Sequence, residues 1–530
     1  MKRLLFNGIV HTPDDPGATA VLIDGDRIAW VGHEGAALAQ RDGVDQAIDL
    51  QGSLVTPAFV DAHVHTTATG MHLTGLDLSG ARSAEHLLEL VQEHCQHVAA
   101  GDVVVGHGWD ESAWVEPILP TRAQLDTASG GAALYLTRVD VHSALATTTL
   151  LDLIPEVTRL PGFDAVGPLR SDAHHAARRA ILDRISDDQR SRWQEQALAH
   201  FAAAGVAAVH EMAGPDISSH RDLRALLARD AGTLVSAYWG ELGAAQQARD
   251  LGAVGAGGDL FADGALGSRT AWLSEPYADA PQTSGVAHVS SDAVAEHVVE
   301  CAEVGVQAGF HVIGDEALAE VLRGFRAAAE RVGEDVIRAG RHRLEHVEMP
   351  AAAHFVDLAR LGITASVQPQ FDALWGGADG MYAARLGVAR AQPMNPFRDF
   401  VTQGIALAFG SDTPVTTVTP WHTVAAAVFH QSPESRISAR AAFNSHTRGG
   451  WRAVGVDDAG VIRPGFGAHV AVWRATDLDV QAPDDRIAAW STDPRSGTPP
   501  LPTLTPEGPY PQCLATVAAG RITFTDGSLV

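Results

Sequence analysis

Cysteine is nearly absent from this chain: 530 residues contain only Cys95, Cys301 and Cys513. They lie far apart and form no Cys-x-x-Cys pair, which excludes a disulfide framework and a thiolate zinc site. Basic residues are also scarce, with 38 Lys plus Arg against 64 Asp plus Glu and a net charge of −26. Nucleic-acid binding rests on cationic contacts to phosphates, and anionic lipid surfaces attract basic segments, so neither partner is expected. No apolar run reaches the ~20 residues of a membrane helix. The short apolar stretch after Lys2 and Arg3 stops at Asn7, so the N-terminus reads as a strand and not as a signal peptide. The expectation is a soluble, cytoplasmic protein. No internal repeat or low-complexity tract is present. Hydrophobic residues make up 46% of the chain, enough for a sizeable core, and the length suits a large barrel plus an accessory unit.

What the chain does contain is histidine at strand ends. Phe59-Val60-Asp61-Ala62-His63-Val64-His65-Thr66 closes an apolar run with two histidines one residue apart. Side chains alternate along a strand, so His63 and His65 share a face and can offer nitrogens to one cation. A lone His-x-His pair is equally well two hydrogen-bonded histidines at a strand end. Three further apolar runs end in chemistry of the same kind: Gln307 to Asp315 carries His311, Arg343-Leu344-Glu345-His346 ends in His346, and Ala406 to Pro414 carries Asp412. Helical segments such as Ala317 to Arg331 and Ala351 to Leu361 lie between them. Strands alternating with helices predict a parallel sheet, and in a closed (β/α)₈ barrel all strand ends converge on one face where catalytic groups gather.

The expected class is α/β, a (β/α)₈ TIM barrel over residues 57–461. Its strands are expected near 58–64, 206–210, 233–239, 258–262, 307–311, 342–346, 363–367 and 405–411. The connection after the first strand is too long for a loop, and residues 70–195 are read as an inserted subdomain that lids the site. Short strands at Leu4 to Val10, Ala20 to Ile23, Arg27 to Val31 and Gln46 to Asp49 are expected at the N-terminus, with Asp24-Gly25-Asp26 as a hairpin turn. Others are expected at Ile462 to Gly467, Ala468 to Trp473, Thr516 to Gly520 and Arg521 to Phe524. The Pro-rich stretch from Thr498 to Pro511 reads as a loop.

The order His-x-His, His, His, Asp resembles the amidohydrolase superfamily of metal-dependent hydrolases. It is most similar to the amidohydrolase family 3 branch, which includes the N-substituted formamide deformylases. The strings that carry the branch resemblance are Gly106-His107-Gly108-Trp109-Asp110, Leu119 to Asp126, Ala262-Asp263-Gly264-Ala265-Leu266-Gly267-Ser268-Arg269-Thr270-Ala271, His311 to Asp315 and Phe409-Gly410-Ser411-Asp412-Thr413-Pro414. The resemblance implies that segments 1–56 and 462–530 meet in one small β-sandwich beside the barrel. It also implies that His63, His65 and Asp412 hold one divalent metal, zinc by expectation, and that His311 and His346 hold a second or assist a single one. Asp412 then doubles as the proton carrier, with His346 as the second catalytic group. The plainer alternative for Asp412 is a helix N-cap, since Ser411-Asp412-Thr413-Pro414 resembles a helix start.

The branch pattern places a carbamylated lysine just ahead of the Asp263 string, bridging two metals. Here Asp259 stands in that position. Asp carries the right charge on a shorter side chain, so either the backbone shifts to bring Asp259 to a metal or one metal per chain is held by His63, His65, His311 and Asp412. One metal is the favoured expectation. Trp109, Asp110, Arg138 and His142, from the insertion, are expected to bind substrate as their counterparts line the pocket in relatives. Trp109 reads equally as a core aromatic, and Arg138 as a partner of Asp140. Glu211 is expected to face the barrel mouth, and Arg269 either holds a loop or touches substrate. The expected function is hydrolysis of an amide or formamide-like C–N bond by metal-activated water. The alternatives are a deaminase, an esterase or lactonase on the same metal site, or a degenerate barrel that only binds. The partner is a small-molecule substrate, and a homo-oligomer stays open.

Overall fold

The computed structural model describes residues 1–529 apart from 40, 100, 112–113, 117, 139–142, 216, 231, 476 and 480–498. Its centre is an eight-stranded parallel sheet whose strands follow one another in chain order. The strands are Phe59–Val64, Val206–Ala213, Leu234–Trp239, Gly255–Ala256, Gln307–Val312, Arg343–His346, Thr364–Val367 and Leu407–Phe409. Helices connect them, including Ser291–Val304, Asp315–Val332 and Ala352–Leu361. The sheet closes into a barrel where the last strand returns to the first. Asp412 N donates to His63 O at 2.8 Å, and His65 N donates to Thr413 O at 3.0 Å. Gly410 permits this approach, because a Cβ there would stand 2.6 Å from His63 N.

Seven barrel strands fall where the hydrophobic runs place them; the fourth does not. Residues 258–262 were expected, but the ladder ends at Ala256 and resumes only as a single bridge between Phe261 and His311. Ala256 pairs with Ala308, so five steps on one strand match three on its neighbour. The extra residues include Gly257 and Gly258, with φ of +157° and +78°. A Cβ at Gly257 would lie 2.4 Å from Gly309 N. Only glycine tolerates that combination of conformation and crowding, and an irregularity of this kind re-aims the next side chain.

The chain ends form two further sheets. One has the order Arg27–Gly32, Ala20–Asp24, Lys2–Phe6, Gln46–Asp49; the other runs Ile9–Val10, Leu54–Pro57, Val470–Arg474, Gln512–Ala518, Arg521–Thr525. Leu5, Val21, Ile23 and Ile48 of the first pack with Val55, Val470, Val472, Leu514 and Val517 of the second in one apolar core. The stretch from Ile462 to Gly467, expected as a strand, makes turns, its one ladder contact being the bridge of Gly467 to Arg27. Leu501–Pro502, expected as loop, pairs with Leu478–Asp479.

Residues Thr66–Ala197 form a compact unit of their own. Its five-stranded sheet has the order Leu169–Arg170, Ser143–Ala146, Ala133–Arg138, Val103–Trp109, Leu76–Asp77. Helix Ala84–Cys95 starts at Ser83, whose side chain caps His86 N. Among the described residues no helix is long and apolar enough to cross a membrane.

Candidate metal centre

Four histidines and two aspartates from five barrel strand ends meet in one buried cluster. His63 lies in the first strand and His65 directly follows its last residue, on the shared face that strand alternation dictates. Their Nε2 atoms lie 3.3 and 3.2 Å from Asp259 Oδ2, and 3.5 and 3.2 Å from Asp412 Oδ1. The other Asp259 oxygen, Oδ1, faces His311 Nδ1 at 3.5 Å and His346 Nε2 at 3.6 Å. Three overlapping triads therefore have cation-ligand spacing: His63–His65–Asp259, His63–His346–Asp412 and Asp259–His311–His346. Asp259 belongs to two of them, one through each histidine group.

Each imidazole is aimed by a hydrogen bond on its far nitrogen. His63 Nδ1 donates to Glu345 Oε2 at 2.9 Å, His65 Nδ1 to Met212 O at 3.1 Å, and His346 Nδ1 to Gln368 Oε1 at 2.8 Å. His311 is turned the other way, with Nε2 donating to Gly264 O at 3.2 Å. Such partners fix the tautomer and present the remaining nitrogen as a lone pair. The inward atoms His63 Nε2, His311 Nδ1 and Asp259 Oδ1 are buried without a hydrogen-bond partner. Buried polar atoms are rarely left so, and here all three point at common space. Ligands roughly 2.0–2.1 Å from a shared cation stand about 3.4 Å apart in tetrahedral geometry, which matches the separations above. The residues fit a divalent metal.

The electrostatics agree. Burial works against a charge on His65, yet Asp259 and Asp412 outweigh it and hold its pKa up to about 10. Burial likewise opposes ionisation of Asp259, but the surrounding imidazoles keep it well below the usual carboxylate range. Two carboxylates thus create a pocket that demands positive charge.

Local backbone completes the aim. Arg343 and Glu345 turn into the barrel, so alternation would send His346 to the opposite face. His346 instead adopts φ +69°, and Asp412 adopts φ +57°. Left-handed conformations at non-glycine residues cost of order 1–3 kcal/mol and concentrate at functional sites. Asp412 is no helix N-cap: turns follow it, and the next helix is Pro420–Val428. Asp61 accepts from Ser411 N at 2.8 Å and ties the first strand to the closing segment.

Trp109 is 1% exposed in the core of the Thr66–Ala197 unit, its indole N–H donating to Leu136 O at 2.8 Å. Arg138 pairs with Asp110 at 2.7 Å and with Glu111 at 2.9 Å. His142 and Asp140 lie outside the described residues. Glu211 is buried in Val206–Ala213 next to His210, which turns inward to Arg343. Arg269, at φ +59°, holds Asp279 through Nε at 3.1 Å and Nη2 at 2.7 Å and so braces its loop. Asp263 accepts from the backbone N–H groups of Trp272, Ile313 and Gly314, fixing the loop beside His311. Glu345, Arg343 and Gln368 were missed, although Arg-x-Glu on a strand places opposite charges on one face.

The sequence profile of the amidohydrolase family matches residues 46–524. The protein LONG AFTER FAR-RED 3 of Arabidopsis thaliana is 26% identical, with 90% of this chain and 89% of that protein aligned. The N-substituted formamide deformylase of Arthrobacter pascens is 24% identical over 84% of this chain and 88% of its own length. Among solved structures, an uncharacterized metal-dependent hydrolase from Pyrococcus furiosus superposes with a TM-score of 0.76 at 28% identity, covering 89% of this chain and 98% of that one.

Proposed function

The chain belongs to the amidohydrolase family, and from that premise we propose that this metal-dependent hydrolase cleaves the C–N bond of an amide or formamide. The observation that carries the reading is the His63–His65–His311–His346–Asp259–Asp412 cluster, in which His63 Nε2, His311 Nδ1 and Asp259 Oδ1 are buried without a hydrogen-bond partner. Likeness along nearly the whole length to a formamide deformylase favours C–N cleavage over an ester.

When bound, a divalent cation polarises a carbonyl oxygen and lowers the pKa of water. His63, His65 and Asp412 would hold one cation; His311 and His346 would hold a second, with Asp259 between the two. The sequence alone favoured a single metal, but a carboxylate with one oxygen toward each histidine pair supports two. Lysine carbamylation cannot supply that bridge: the chain has a single lysine, Lys2, which pairs with Asp24 in the N-terminal sheet. Zinc suits a site of imidazoles and carboxylates.

Asp412 can accept the proton of the attacking water at its carboxylate and return it to the leaving nitrogen. His346, fixed by Gln368, keeps Nε2 toward Asp259 and away from bulk water. The test is incubation of the zinc-loaded protein with N-substituted formamides, simple amides, cyclic amidines and esters. Formate or carboxylate released in step with free amine supports the reading. Ammonia released from the amidines alone would move it to a deaminase, and ester-only turnover to an esterase.

A further inference from the structure

The interior of a (β/α)₈ barrel is ordinarily filled by layers of branched apolar side chains. Here the layer beneath the metal centre is charged. Arg343 and Glu345, both fully buried, lie side by side on the inner face of the sixth strand, with Arg343 Nε on Glu345 Oε1 at 2.6 Å and Nη2 on Oε2 at 2.8 Å. The same guanidinium reaches four other barrel strands. Nη2 donates to Ala62 O at 2.6 Å and to Ser366 Oγ at 2.7 Å, Nη1 donates to His210 Nδ1 at 2.9 Å, and the group lies 4.6 Å over the Tyr238 ring. A buried ion pair is poor evidence of stability, since desolvation offsets much of its attraction. Its geometry points to a different use: Glu345 Oε2 is also the acceptor for His63 Nδ1.

We propose that Arg343 is a positioning residue for His63, acting through Glu345. The bidentate clamp removes the two freedoms that would spoil the centre. It stops the Glu345 carboxylate from swinging among the cation ligands, and it keeps one oxygen on His63 Nδ1 so that Nε2 stays turned toward Asp259 and Asp412. Anchorage to Ala62 O places the clamp one residue from the histidine it aims. His210 serves the clamp as an acceptor: a nitrogen that receives Arg343 Nη1–H must be unprotonated.

The proposal rests on the reading of His63 as a cation ligand, but it has a test in the metal-free protein. Selective ¹⁵N-histidine labelling should show the His63 Nδ1–H as a downfield proton protected from solvent exchange, missing from the spectrum of His63→Ala. Arg343→Lys keeps the charge but not the fork, and Ser366→Ala removes one anchor of the guanidinium. In Arg343→Lys the protected proton should disappear, and zinc affinity, measured by chelator competition, should fall ~10–100-fold, the range for lost partners of metal-bound histidines. Ser366→Ala should give a smaller change in the same direction, and it carries the test should Arg343→Lys fail to fold. A folded Arg343→Lys, or a Ser366→Ala, in which both signals match wild type would overturn the proposal. Wild-type protein that binds no zinc while showing the protected proton would refute the metal reading and leave the clamp standing.

Discussion

Asp412 and His63 meet twice. The backbone N–H of Asp412 closes the barrel on the His63 carbonyl at 2.8 Å, and the two side chains stand 3.5 Å apart in the cluster. Barrel closure and ligand assembly are therefore one event. Gly410→Ala, which would thrust a Cβ to 2.6 Å from His63 N, should lower stability and metal content together. Thermal melts and elemental analysis check this, and a stable variant with full metal would separate the two.

Removing ligands while sparing the seam should do the reverse. His63→Ala combined with His65→Ala leaves the backbone bonds to Asp412 and Thr413 intact. Bound metal and activity should be lost with the far-UV spectrum unchanged. Full metal content in the double variant would defeat the assignment of this pair.

Asp259 should behave as a shared ligand. Loading should saturate near two zinc ions per chain and should not respond to bicarbonate. Asp259→Ala should reduce the stoichiometry and weaken what remains. Saturation at one ion, unaffected by Asp259→Ala, would return the centre to a single metal held by His63, His65, His311 and Asp412.

The bulge that delivers Asp259 can be tested apart from its carboxylate. Gly258 has φ +78°, and a Cβ there would sit 2.5 Å from Met212 Sδ. Gly258→Ala should cost of order 1–3 kcal/mol in strain and displace Asp259, so metal content should fall toward that of Asp259→Ala. Wild-type stoichiometry in this variant would show that the glycine only serves packing.

Stability should fall with acid. Burial holds His11, His342, His430, His446 and His469 neutral, each pKa lowered from 6.5 to about 4. Between those values the unfolded chain binds more protons, so their contribution is complete above pH 6.5 and is lost as pH falls toward 4. Asp61 and Asp372, raised by burial to about 6, act in the opposite sense, but the five outnumber the two. Calorimetry on the metal-free protein should show Tm dropping steadily below pH 6.5; a flat profile down to pH 5 would contradict this.

Trp109→Ala should destabilise the Thr66–Ala197 unit by about 3–5 kcal/mol, as expected for a buried tryptophan. Limited proteolysis would report it. A changed KM with unchanged proteolytic resistance would instead support Trp109 as a substrate contact.

The clustering of the residues at the ends of regular strands was legible in the sequence because period-two alternation and apolar runs are local signals. His63, His65 and His311 needed nothing more. His346 was found by its run, although its side chain reaches the cluster only through a left-handed residue that no pattern announces. The fourth strand was misplaced because two glycines interrupt the ladder, and their φ values depend on contacts with Gly309 and Met212 far along the chain. The pairing of Arg138 with Asp110 and Glu111 is likewise tertiary. The Arg343–Glu345 clamp was visible as opposite charges two residues apart on one strand, but nothing local tells a buried pair from a solvated one.

The interleaving of the two chain ends has a consequence for biosynthesis. Leu54–Pro57, which leads into the His-x-His strand, is flanked in its sheet by Ile9–Val10 and Val470–Arg474, and the latter pairs in turn with Gln512–Ala518. During translation at ~5–20 residues per second, the N-terminal strands wait on the order of tens of seconds for those partners. Until then Leu54–Pro57 is an uncovered edge, a template for pairing with another chain. Folding of this unit is thus completed late in synthesis, and the nascent chain carries an open strand edge immediately ahead of the His63–His65 segment.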